Sequence, residues 1–274
     1  MKQRTSIGHY ILILVLLVIF FVPILWIFLT SIKTSGEIYA WPPVFIPAAP
    51  TLNNYATVLF DSNLGLYILN SLVICTISTI LVVLLASLAG YGISRVAFKG
   101  AGVFFIFFLS MSMFPQLSIA PSIFLWFSRL GLLNRFTGLI IAYLGLFLPL
   151  AIWILTTYMK TIPEDIEDSA RIDGCSVFRI IFQILFPLAI PGVIAASLIM
   201  FIFSWNEFFL SLIILSKDTL RTATVGIALY PGEYAFPWEL ISTATFLAII
   251  PLALLLFFFQ QRIISGLTAG ALKS

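Results

Sequence analysis

Long unbroken apolar runs, rather than any alternation of apolar and polar positions, organise this chain. Six of them fill roughly residues 10–29, 66–93, 103–124, 139–158, 188–213 and 240–259, and polar residues gather between them. Each reaches the ~20 residues a helix needs to cross a ~30 Å hydrocarbon layer. Backbone groups surrounded by lipid must be satisfied within their own segment, so the runs predict helices rather than strands. The first run follows Lys2 and Arg4, as a signal peptide would, but it is longer and no Ala-x-Ala-like site follows it. It reads as a retained helix. The expected fold is therefore all-α, a polytopic membrane protein with six transmembrane helices in a single domain over residues 1–274.

Six crossings place both termini on one side. If that side is the cytoplasm, the inner face carries Lys2, Arg4, Arg95, Lys99, Lys160, Arg171, Arg179, Arg262 and Lys273. The outer face keeps only Lys33, Arg129, Arg135, Lys217 and Arg221. The excess of basic residues favours a cytoplasmic N-terminus. Two outer segments, about 33–65 and 216–239, are too short for cores of their own and read as short helices and loops.

Composition agrees: 61 % of residues are hydrophobic and 9 % charged, against about half and about a quarter in soluble domains. The net charge of +3 comes from scattered basic residues, which argues against nucleic acid as a partner. One histidine and two cysteines leave no material for a zinc site or a His-based triad. Cys75 lies in an apolar run and Cys175 in a charged loop, so no disulfide is expected.

That charged loop, IPEDIEDSARIDG at residues 162–174, holds five of the eleven acidic side chains. Pro163 suits the start of a helix. Glu164, Asp165, Glu167 and Asp168 crowd its opening turns, where free N–H groups favour negative charge. Arg171 is spaced to pair with Glu167. Ile162, Ile166, Ala170 and Ile172 form a narrow apolar stripe, and Asp173-Gly174 marks a turn. A second short helix follows from about Val177, with Phe178, Ile181, Phe182 and Leu185 as its apolar side. A solvated loop accounts for the charge, whereas docking into another protein accounts for both the charge and the apolar side.

These residues resemble the signature of the permease subunits of binding-protein-dependent ABC importers: Glu-Ala-Ala, three residues, Gly, nine residues, Ile-x-Leu-Pro. Here it reads Asp168-Ser169-Ala170, then Gly174, then Ile184-Leu185-Phe186-Pro187. The spacing is intact, with Asp for Glu, Ser for Ala and Phe for Leu. FSWNEFFLSLIIL at 203–215, Pro251, Gln260-Gln261-Arg262 and the tail GLTAGALK at 266–273 resemble the sugar-uptake branch. The similarity is greatest to the smaller permease of maltose-type transporters.

The resemblance implies a coupling-helix loop at about 160–187. Glu167, Asp168, Ser169, Ala170, Asp173, Gly174 and Pro187 would serve its docking to an ATP-hydrolysing subunit. It further implies a homologous second permease, two ATPase subunits, an extracellular or periplasmic solute-binding protein, a sugar substrate and a prokaryotic cell membrane. The chain contains no G-x-x-x-x-G-K-[ST] loop. It is expected to be no enzyme and to bind no cofactor, with ATP and Mg²⁺ handled by the partner ATPases.

Polar and aromatic residues inside the apolar runs mark a candidate translocation path or binding-protein contact: Gln116, Tyr143, Trp205, Asn206 and Glu207, with Phe114. Asn206-Glu207 reads equally as a cap on a helix break, and Asn70-Ser71 poses the same choice. Pro23, Pro115 and Pro149 are expected to kink their helices, and Gly90 and Gly92 to allow close helix contact or hinging. Two alternatives stay open. One is an ABC permease for a polyol, glycerol phosphate or another small polar solute. The other is an ion-coupled secondary transporter, which would want paired discontinuous spans.

Overall fold

The computed structural model describes residues 7–96, 100–111, 115–230 and 236–268. In chain order the helices are α1 (Ile7–Ser31), α2 (Ser35–Ile38), α3 (Asn53–Ala56), α4 (Leu64–Arg95), α5 (Ala101–Met111), α6 (Gln116–Arg129) and α7 (Phe136–Met159). There follow α8 (Asp165–Ile172), α9 (Val177–Arg179), α10 (Phe186–Asn206), α11 (Phe209–Ile214), α12 (Ala223–Ala228) and α13 (Trp238–Thr268). Phe114 and residues 269–273 of the tail motif lie outside the described residues.

Among the described residues five helical stretches, not six, are long and apolar enough to cross a membrane. The expected third span is divided into α5 and α6. Pro115 lacks an N–H and biases the residue before it away from helical geometry, which favours a break at this point. It stands extended at the start of α6 (φ −61°, ψ 124°), a break rather than the kink expected of it. Pro23 and Pro149 do lie inside helices. The fifth span also differs from expectation. α9, a π-helical turn at Ile180–Leu185 and α10 run on as one stretch, Val177–Asn206, so the second short helix of the charged loop is the beginning of a span. Pro187 is the second residue of α10, directly after the π-helical turn. At the other end the span stops at Asn206, short of residue 213.

The chain divides into two compact units, Met1–Ile68 with Gly226–Pro251, and Leu69–Val225 with Leu252–Ser274. In the first, Val58, Leu64, Tyr67 and Ala244 form a small core. Side chains tie its 33–63 segment together. Asn54 Nδ2 donates to the carbonyls of Ser31 and Lys33, both at 2.8 Å. Lys33 Nζ reaches the Val44 carbonyl (2.6 Å) and sits 4.5 Å from the centre of the Trp26 ring. The Glu37 carboxylate accepts from the N–H groups of Ala49, Thr34 and Ala48. These bonds, that from Ala49 foremost, hold its carboxyl below the usual glutamate range.

In the second unit α7 is the central element. Leu139, Tyr143, Ala151 and Leu155 are fully buried among Ile74, Val82 and Ala86 of α4, Ala196 and Met200 of α10, and Leu210 and Ile214 of α11. Small residues set the approach of α4 to α7: a Cβ on Gly90 would lie 3.2 Å from the Thr156 nitrogen. Gly92, paired with it in the sequence reading, has nothing within 4 Å of such a Cβ. Gly90→Leu should therefore force the two helices apart, an overpacking cost of about 1–3 kcal/mol. Gly92→Leu should be tolerated. Melting temperatures of the two purified variants check this, and equal losses would contradict the packing described.

Candidate functional site

The charged loop folds as the short helix α8, closed by glycine. Asp165, Glu167 and Asp168 occupy its first turn. At its end the Cys175 N–H bonds the Ala170 carbonyl and the Gly174 N–H bonds the Arg171 carbonyl, both at 3.0 Å. This nested pair caps a helix whose chain then turns through a left-handed residue. Gly174 is that residue, with φ +77°. Among the described residues, its two chain neighbours aside, nothing lies within 4 Å of where its Cβ would be, so backbone geometry rather than crowding calls for glycine.

The loop's side chains sort into an inner and an outer set. Ile162 and Ala170 turn inward, in a cluster with Ile180, Leu185 and Ala189. Ile172 and Phe178 point outward, 87 % and 72 % exposed, with Val177 and Phe182 beside them. The single apolar stripe expected from the sequence is thus split between two faces. Phe178 and Phe182 lie with ring centres 4.5 Å apart, one turn from each other. Asp168, Ser169, Asp173 and Gly174 are exposed. Glu167 is not: it is 2 % exposed, and Arg95 at the end of α4 donates to its carboxylate. Arg171 lies 3.9 Å from the Glu167 carboxylate, the ion pair expected of it, and also bonds Asp168 (3.2 Å).

A second candidate site surrounds the end of α10. Glu207 is extended there (φ −68°, ψ 128°), and its side chain takes over as acceptor for the next helix. Oε1 accepts from the Leu210 N–H (2.8 Å), and Oε2 from the Ser211 N–H and the Tyr143 hydroxyl, both 3.1 Å. The carboxylate therefore starts α11 in the manner of a cap, stabilised in a buried place by three donors. The break opens a cavity of about 410 Å³ lined by Gln116, Asn206 and Glu207 with Phe147, Phe203, Phe208 and Phe209.

Gln116, distant in sequence from the adjacent Asn206 and Glu207, thus meets them at one cavity. Tyr143 and Trp205 do not line it. Tyr143 is fully buried and holds Glu207 from behind, while Trp205 stacks on Phe201 with ring centres 5.7 Å apart. Asn70 and Ser71 turn out to be braces. Asn70 Nδ2 donates to the carbonyls of Thr219 and Arg221 (both 3.0 Å), and Ser71 Oγ accepts from the Ala223 N–H (2.8 Å). The sequence reading missed Arg95, which it counted only as one positive charge. Its place at the last turn of a long apolar helix was the available signal.

Known proteins give this geometry a context. In the solved structure of a bacterial ABC transporter involved in the import of the acidic polysaccharide alginate, one chain superposes with a TM-score of 0.76 at 23 % identity. The match covers 95 % of this chain and 98 % of that one. A sulfoquinovosyl glycerol transport system permease protein of Agrobacterium fabrum is 40 % identical over 92 % of this chain and 88 % of its own length. The trehalose/maltose transport system permease protein of Thermococcus litoralis is 37 % identical over 92 % of this chain and 91 % of its own. Residues 82–268 match the model of the binding-protein-dependent transport system inner membrane component. With the helix–glycine loop, the broken fifth span and these matches in place, the chain belongs to that family of ABC transport permeases.

Proposed function

We propose that the chain is one of two non-identical permease subunits of an ATP-driven importer that takes up a carbohydrate handed over by a solute-binding protein. The observation that carries this reading is the outer face of the α8 loop. There Ile172, Val177, Phe178 and Phe182 stand exposed beside Asp168 and Asp173 on a loop that the charge bias assigns to the cytoplasm. An apolar surface rimmed by acidic residues, where the α8 loop meets the start of the Val177–Asn206 stretch, fits a protein partner. In this reading the partner is one of two ATPase subunits, which bind ATP and Mg²⁺ themselves. Asp168, Ser169, Asp173 and Gly174 meet it directly, whereas Glu167 and Ala170 seat the helix from the inside and Pro187 lies in the span that follows.

The cavity at the α10 break is the reading's substrate path. Amide groups of Gln116 and Asn206 suit hydroxyl groups, and the phenylalanine rings suit the C–H faces of a sugar. Glu207 is already committed to three donors, which favours a neutral solute over a cation. The names of the trehalose/maltose and sulfoquinovosyl glycerol relatives point to a carbohydrate.

Co-expression with the neighbouring genes, followed by measurement of subunit stoichiometry and of uptake of trehalose, maltose and sulfoquinovosyl glycerol into proteoliposomes, tests this. A complex with one copy of this chain, one of a different permease and two ATPases is expected. An active homodimer of this chain without a second permease would overturn the reading. A cysteine placed at Ser169 should label from the cytoplasmic side, and labelling from outside only would reverse the orientation.

A further inference from the structure

Arg95 is the last residue of α4, yet its side chain is only 6 % exposed. Nε donates to the buried Glu167 carboxylate in the first turn of α8. Nη2 donates to the carbonyls of Met159 (3.1 Å) and Ile162 (2.8 Å), at the end of α7 and just past it. Nη1 lies 3.7 Å from the exposed Glu164. One guanidinium therefore joins the ends of α4 and α7 to the start of α8.

Each of these contacts has a physical reason. Carbonyls at a helix end lack intrahelical donors, and a cation there complements the negative end of the α7 dipole. A carboxylate in the first turn of α8 complements the positive end of that helix. A planar fork of donors serves both tasks at once, which a lysine ammonium on a flexible stem cannot do with the same geometry. Ile162 and Ala170 also hold α8 against the neighbouring helices, but apolar contact is non-directional and does not fix rotation.

Without the ion pair, α8 would hang between residues 160–164 on one side and the left-handed Gly174 on the other. Both links can bend. We propose that Arg95 is a positioning residue for coupling: through Glu167 it locks α8 to the ends of α4 and α7, so that a displacement of the docking face moves two membrane helices. This rests on the function proposed above.

The test uses the assembled complex with its solute-binding protein and ATP, in a Cys175→Ser background carrying Asn206→Cys as a reporter in the cavity. The readout is the ratio of maleimide labelling rates with and without ATP, which requires no identified sugar. Either Arg95→Met or Glu167→Met alone leaves a buried charge unpaired and should lower the yield of complex. The double variant leaves none, so assembly should recover. Its ATP-dependent labelling change should nevertheless shrink about tenfold, within the range that residues along a coupling route control.

A double variant that assembles and keeps the full labelling change would overturn the proposal, since a purely structural ion pair predicts that result. Should the double variant fail to assemble, Arg95→Lys decides. It keeps the charge without the fork, so a reduced labelling change upholds the proposal and a normal one overturns it. A parent complex with no ATP response at all would instead refute the importer reading, and the inference with it.

Discussion

Gly174→Leu should leave the subunits assembled while ATP hydrolysis no longer responds to the loaded binding protein. The residue sits at φ +77° and completes the cap that ends α8. Left-handed geometry costs a residue with a Cβ roughly 1–2 kcal/mol, and relief would rotate the exposed Ile172–Phe178 surface on which docking depends. Among the described residues none beyond its chain neighbours crowds position 174, so the membrane core should not feel the change. Gly174→Asn separates strain from bulk, because asparagine tolerates the left-handed region. Partial recovery is expected in that variant. Asp168→Ala should be milder, since an exposed pair such as Asp168–Arg171 is worth about 0–1 kcal/mol. Hydrolysis rates with and without loaded binding protein check all three. A Gly174→Leu complex with normal transport and normal stimulation would sink the docking reading and return the loop to plain solvation.

Glu207→Ala should destabilise the permease itself. The substitution strips acceptors from the N–H groups of Leu210 and Ser211 and from the Tyr143 hydroxyl, all in a buried setting. Each group left unsatisfied costs about 1–3 kcal/mol. α11 would lose its start, and the cavity its wall. Glu207→Gln keeps one carbonyl acceptor and should fall between the two. Thermal unfolding in detergent reads the stability, and sugar uptake reads the cavity. If Glu207→Ala melted like the parent but lost uptake, Glu207 would be a substrate contact and not the anchor described here.

The two candidate sites were not equally legible before the fold was known. The α8 loop was, because its acidic first turn, its apolar positions and its Asp-Gly ending act within a few residues of one another. Even so, the sequence assigned Glu167 to Arg171, four residues away. The structure keeps that pair at 3.9 Å and adds a closer partner that spacing could not show, Arg95, 72 residues away. A buried guanidinium outcompetes an exposed one because water screens the second and not the first. The same limit hid Tyr143, whose aromatic ring suited a sugar path but whose hydroxyl is used 64 residues on, at Glu207.

Local chemistry along the chain settles part of this architecture. Apolar runs of membrane length must be helical because lipid offers backbone groups no partner. Proline at 115 favours an interruption in one of them, and glycine at 174 must end the exposed helix. Whether the interruption kinks or divides the span, and whether the second loop helix stands alone or continues into α10, depended on neighbours. So did the inward face of α8, the close approach at Gly90 but not at Gly92, and the meeting of Gln116, Asn206 and Glu207 at one cavity. In a chain that is 61 % hydrophobic almost every side is apolar enough to bury. The choice of buried face therefore falls to shape complementarity and to the few polar groups that must find one another, and only the tertiary structure brings those groups together.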